Sequence, residues 1–166
     1  HVTAAPQPIT GRCLCGGVTY SADAEPVVEA VCHCTDCQRQ TGNPFSVLVA
    51  VPRPALDVEG GTLASFSTTG EDHGGETQRY FCSNCGSPLY SVTAVLPDVA
   101  FIKAGSLDDA SRLQPSVEAW TTSAQPWSPH FEGATHLDRV RLSGTPVLGA
   151  GSMTGRERTR RSSRHP

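Results

Sequence analysis

The chain has 166 residues and a formal net charge of −3, enough for one ordinary domain. Only 37% of it is hydrophobic and 17% charged, so neither a membrane-embedded protein nor a highly charged disordered chain is indicated. No apolar run approaches the ~20 residues of a membrane span. Sixteen glycines and thirteen prolines point to many turns and short elements.

Taken in chain order, residues 1–10 (HVTAAPQPIT) read as an extension without the basic-then-apolar layout of a secretory signal. Residues 11–150 are expected to form one domain, and 151–166 a basic, flexible tail. The first turn, GRCLCGG, carries Cys13 and Cys15. Val18 and Tyr20 then alternate as in a strand. VCHCTDCQRQTG supplies Cys32, Cys34 and Cys37, and its TDCQRQT stretch is the longest helix candidate. That helix is expected to begin with Thr35 or Asp36 as N-cap and to stop at Gly42. FSVLVAVP, TLASFSTT, QRYFC, PLYSVTAV and VAFIKAGSL read as short strands, mostly antiparallel. EDHGGE at 71–76 reads as an exposed loop, either a lid or a plain hairpin tip. FCSNCGS adds Cys82 and Cys85. Trp120 and Trp127, in EAWTTSAQPW, are candidates for a substrate pocket or for packing. The tail holds Arg156, Arg158, Arg160, Arg161 and Arg164 against Glu157 alone, so the remainder of the chain is acidic. An acidic body is a poor match for a phosphate backbone, and nucleic acid is not expected as a partner.

The seven cysteines carry the chemistry. They fall into three tight groups, C-x-C, C-x-C-x-x-C and C-x-x-C. A disulfide framework favours an even number spread along the chain, and a bridge across one residue is strained. Clustered thiolates suit a metal ion in a reducing compartment, here taken as the cytoplasm. All-thiolate sites favour zinc, Cu(I) or iron–sulfur, but these spacings do not fit an iron–sulfur cluster, so zinc is the expected metal. Cys15 precedes Gly16 and Cys85 precedes Gly86, the layout of two knuckles whose glycines admit positive φ. Cys13, Cys15, Cys82 and Cys85 therefore make one closed structural site. Cys32, Cys34 and Cys37 make a second site with either an open position, as in a catalytic zinc, or a fourth ligand drawn from His33, His73, His130, His136 or Asp36. His33, between two ligands, is expected to point away from them. Arg39, two residues after Cys37, is a candidate for meeting an anionic substrate.

GRCLCGGVTY (11–20), CHCTDC with Gly42, FCSNCGSPLY (81–90), AGSLDD (104–109) and Pro126–Trp127 together resemble the GFA family, the glutathione-dependent formaldehyde-activating enzymes that include centromere protein V-like proteins. The resemblance spans about residues 11–131. It implies a mainly β, Mss-four-like zinc-containing antiparallel fold with long loops and at most short helices. It implies two zinc ions per chain, split between the cysteines as above, and a carbon–sulfur lyase joining glutathione or another small thiol to an aldehyde such as formaldehyde. Where many members have a histidine after the proline at 115, this chain has SVEAW with Glu118, a departure that bears on the choice of thiol. Three cysteinates on Zn²⁺ leave a net charge near −1, which favours thiol delivery over carbonyl activation. Substrate contacts are expected from Arg39 and Trp127. The rival readings are a non-catalytic zinc module, partner or chaperone of a small GTPase, and a methionine-sulfoxide-reductase-like enzyme, which would need a redox cysteine outside the two metal groups. The oligomeric state is not indicated by the sequence.

Overall fold

Short strands broken by glycine, proline and aspartate turns assemble into two sheets. The computed structural model describes residues 8–69 and 75–140. The strands are β1 (Ile9–Arg12), β2 (Thr19–Ala22), β3 (Val28–Cys32), β4 (Ser46–Pro52), β5 (Leu56–Glu59), β6 (Leu63–Thr69), β7 (Glu76–Cys82), β8 (Pro88–Thr93), β9 (Leu96–Lys103), β10 (Val117–Ala119) and β11 (Thr135–Leu137). The α-helix among the described residues is α1 (Thr35–Thr41). The mainly β class expected from the sequence is borne out. His73, most of the 71–76 loop and the basic tail lie outside the described residues, as does the expected domain end at 150. β1 takes in Ile9 and Thr10, two residues ahead of the domain start expected at 11.

One sheet has the order β1-β2-β5 and the other β11-β10-β3-β4-β9-β8-β7-β6. From β3 across to β6 every pairing is antiparallel, as alternating strands joined by tight turns dictate. β10 departs from this rule: it runs parallel to both β3 and β11. It reaches β3 only after the whole β4–β9 meander, and a long connection of that kind is what a parallel pairing needs. β4 is central and covered on both faces, so Val49, Ala50 and Val51 are all buried instead of alternating. The main core joins Val18, Tyr20, Val49, Val51, Leu89 and Ile102 with Cys13 and Cys82. The 3₁₀ turn Ala104–Ser106 closes over it, the Ser106 hydroxyl 2.7 Å from that of Tyr20. Tyr80 and Tyr90 face each other across β7 and β8 and stack with centroids 4.3 Å apart. The register shifts between Tyr80 and Phe81, and this irregularity bends the end of β7 just before Cys82.

α1 differs from expectation at its start. Its N-cap is Cys34, not Thr35 or Asp36: Cys34 is extended (φ −61°, ψ 150°) and its sulfur accepts the Cys37 N–H at 3.4 Å. A cap needs an extended residue with a short acceptor side chain, and the cysteine meets both conditions. The helix stops at Gly42, whose φ of 67° is the left-handed C-cap expected there.

Candidate metal centres and cleft

The first centre is built from two glycine-terminated turns. Gly16 and Gly86 have φ of 76° and 75°, and each reverses the chain directly after its second cysteine. The Gly16 N–H donates to the Cys13 carbonyl and the Gly86 N–H to the Cys82 carbonyl. The turns bring the sulfurs of Cys13, Cys15, Cys82 and Cys85 within 4.8 Å of one another. Cys13 and Cys15 are 3.6 Å apart and Cys15 and Cys82 3.7 Å. Zinc–sulfur bonds of about 2.3 Å put the corners of a tetrahedron about 3.8 Å apart, so the four thiols fit a tetrahedral ion. None of the seven cysteines is in a disulfide. The Val18 N–H donates to Cys13 at 3.3 Å, and the Ser87 hydroxyl lies 3.2 Å from Cys85. The Ser87 hydroxyl and amide hold the Cys85 thiol down to about 5.

The second centre lies where β3 runs into α1. Cys32 ends β3, Cys34 caps the helix and Cys37 sits in its first turn. All three are buried, packed against Ala119 and Trp120, with their sulfurs within 4.8 Å of one another. Gln38 pins the segment: its side-chain amide donates to the carbonyls of His33 and Ser123. Hydrogen bonds from Cys32 and Cys34, with the charges of Lys103 and Arg79 nearby, hold the Cys37 thiol well below the usual thiol range. Cys32 is pushed the other way, because it shares its proton with Cys34 and Cys37 and is buried.

The four candidates for a fourth ligand that the structure describes are engaged elsewhere. His33 points away from the sulfurs, and its Nε2 lies 2.9 Å from Glu118 Oε1. His130 and His136 also approach Glu118. Asp36 accepts from Arg79 at 3.4 Å. Among the described residues, no histidine, cysteine or carboxylate joins the three sulfurs within ligand range.

Lys103 belongs to none of the cysteine groups and no motif marks it. It is buried at the end of β9, its Nζ 3.3 Å from the Ser46 hydroxyl. Burial lowers its pKa and the neighbouring Cys37 works against that. Arg79, also buried, reaches toward the same group from β7. The signal was present in VAFIKAG: a lysine in an otherwise apolar strand is rarely buried without an anionic partner. A cleft of about 970 Å³ runs from Cys15 past Phe45 and Ser46 to Lys103 and Asp108. The three cysteines of the second centre do not line it, but Thr41, Ser46 and Lys103 bring its wall to their edge. Arg39 is exposed on α1 and lines a smaller pocket with Asp36 and Arg79. Trp127 is 71% exposed, whereas Trp120 is buried against the cysteines in a left-handed conformation, φ 61°. That conformation is uncommon for a bulky side chain and costs on the order of 1–2 kcal/mol, offset by its packing on the thiol cluster.

The sequence model of a family described as glutathione-dependent formaldehyde-activating enzyme, GFA, matches residues 8–123. A Schizosaccharomyces pombe protein named an uncharacterized lyase is 28% identical over 80 residues, 48% of this chain and 54% of that protein. The chain thus spans about half the length of this curated relative. A crystal structure of a Rhodobacter sphaeroides protein overlays with a TM-score of 0.51 at 19% identity, covering 62% of this chain and 91% of that one. At that identity the likeness speaks for the fold alone. No helix among the described residues is long and apolar enough to cross a membrane.

Proposed function

Because the chain belongs to the glutathione-dependent formaldehyde-activating enzyme family, we propose that it is a cytoplasmic, zinc-dependent carbon–sulfur lyase. It joins a small cellular thiol, glutathione or another, to an aldehyde such as formaldehyde, or runs the reverse. In the forward direction the thiol sulfur bonds to the aldehyde carbon and the thiol proton ends on the former carbonyl oxygen. The observation that carries this reading is the group of three buried sulfurs backed by Lys103 and Arg79, with no fourth ligand close by among the described residues. Cys13, Cys15, Cys82 and Cys85 would hold a structural zinc, and Cys32, Cys34 and Cys37 a catalytic one. A zinc ion bound there supplies acidity, lowering the pKa of a thiol that comes to it.

The chain's own residues do the rest. Lys103 and Arg79 balance the negative charge of three cysteinates, so that a fourth anionic sulfur is not repelled. Trp120 and Ala119 exclude water from the cluster's far side. The cleft offers room for the body of the thiol at the Lys103 end. Arg39, in the smaller pocket beside Asp36 and Arg79, would meet an anionic group of the substrate, and Trp127 would offer an exposed aromatic face outside both pockets.

Lys103→Met keeps the length of the side chain and removes its charge. Loss of one charged interaction is worth about 1.5–3 kcal/mol, so kcat/KM is expected to fall about 10- to 150-fold. Lys103→Arg should recover part of it, and steady-state kinetics on the preferred thiol checks both.

The function itself is tested with a panel of thiols, glutathione first, each mixed with formaldehyde and followed by NMR. The zinc-loaded protein is expected to accelerate adduct formation above the spontaneous rate for at least one thiol, and a chelated sample is not. Acceleration with none of them would leave a zinc-stapled interaction module in place of an enzyme.

A further inference from the structure

A third group of metal-ligating side chains lies on the opposite side of the Cys32–Cys34 segment from the sulfurs. Glu118 on β10 is paired in register with His136 on β11, and the connection between the strands returns His130 to the same point. The Glu118 carboxylate is fully buried, while the two imidazoles are about half exposed. Oε1 lies 3.3 Å from His130 Nδ1 and 2.9 Å from His33 Nε2, and Oε2 lies 2.7 Å from His136 Nε2.

Ion pairing alone leaves part of this arrangement unexplained. His136 Nε2 approaches Oε2 to 2.7 Å, yet outside hydrogen-bond geometry, and Oε2 is buried. Burial raises the Glu118 pKa, but hydrogen bonds from His33, His130 and the Phe131 backbone outweigh it and hold the carboxyl below the usual range. The rings of His130 and His136 stack with centroids 5.3 Å apart. Both rings turn a nitrogen toward the same buried carboxylate. A divalent cation between the three accounts for this convergence, since imidazole nitrogens and a carboxylate oxygen are its usual ligands.

We propose that Glu118, His130 and His136 form a binding site for a divalent first-row transition-metal ion, separate from both cysteine centres. The three ligand atoms lie within 4.8 Å of one another. Metal–nitrogen and metal–oxygen bonds of about 2.1 Å put neighbouring ligands about 3.0–3.4 Å apart, so His136 shifts outward by a few tenths of an ångström and His130 hardly at all. The exposed side of the two imidazoles leaves the remaining positions to water or a small ligand. His33 positions the carboxylate by holding Oε1 from behind.

The test is titration of Co²⁺ into full-length protein already loaded with zinc. Wild type is expected to take up one equivalent with the weak d–d bands of a nitrogen–oxygen site and without sulfur-to-cobalt charge transfer. His136→Ala and His130→Ala, both at half-exposed positions, should weaken this uptake by at least ~10-fold while circular dichroism stays unchanged. Glu118→Gln should act likewise. Uptake that is absent, that shows only charge-transfer bands, or that is the same in both histidine variants overturns the proposal. Because the readout excludes sulfur ligation, the result does not depend on whether the cysteine centres support catalysis.

Discussion

Cys37→Ala is expected to reduce thiol–aldehyde turnover by at least ~10³-fold while leaving the fold standing. Three features converge on this sulfur. Cys32 and Cys34 hydrogen-bond to it, the Lys103 and Arg79 charges face it, and its thiol is the one of the three held well below the usual range. The first proton therefore leaves this group from Cys37, and the anion that attracts a metal ion forms there. Without it two sulfurs remain, of which Cys32 is pushed up by its shared hydrogen bonds and burial. Loss of one essential group at a reacting centre routinely costs ~10³-fold or more. The structural cost is smaller: alanine leaves a void the size of one sulfur under α1, worth about 1–2 kcal/mol. Cys34 keeps its backbone conformation as N-cap, since the Cys37 N–H that it accepts is a main-chain group. The variant should show a near-native melting curve, one metal equivalent fewer and no measurable kcat/KM. Activity within tenfold of wild type would remove the three-sulfur group from the mechanism.

What the sequence makes legible here is local. The knuckles can be read because Cys-Gly needs a left-handed glycine, and Gly16 and Gly86 have that conformation. α1 can be read to its last residue because Gly42 stops it, and misread by one or two residues at its start because cysteine is not an expected cap. The β4 run shows its valines but not that Ala50 between them is buried as well, since β4's position between β3 and β9 comes from pairings far along the chain. Non-local pairing also conceals the Glu118 group. Glu118, His130 and His136 have no motif spacing, and they meet only because β10 turns parallel to β3 and β11 adds to its free edge. In sequence Glu118 stands out as a departure after Pro115; its place beside three histidines needs the parallel register. Lys103 and Arg79 are hidden for the same reason: each lies in a strand of its own, and the sheet carries both to the sulfurs.

Cys82→Ala is expected to be the most damaging single change to the fold. Cys82 is fully buried at the end of β7, 3.7 Å from Cys15 in the β1–β2 turn, 67 residues away in the chain. Its sulfur also meets the Thr62 hydroxyl at 3.2 Å, and its backbone closes the second knuckle through Gly86 and Ser87. The four-cysteine centre thus joins the three-stranded sheet to the eight-stranded one, and a metal ion there closes a long loop in the unfolded chain. Removing one of four ligands is expected to cost on the order of 3–5 kcal/mol, against a total stability of about 5–15 kcal/mol for a domain. At ~2–4 °C per kcal/mol for a chain of this size, Tm should fall by about 6–20 °C. Chelation should bring wild type down to the variant's Tm and lower the variant much less, because its closed site is already broken. Cys37→Ala melts near wild type by the argument above, so the contrast between the two separates a clamp from a reacting centre. Equal Tm values for Cys82→Ala and wild type would mean that the first centre carries no part of the fold's stability.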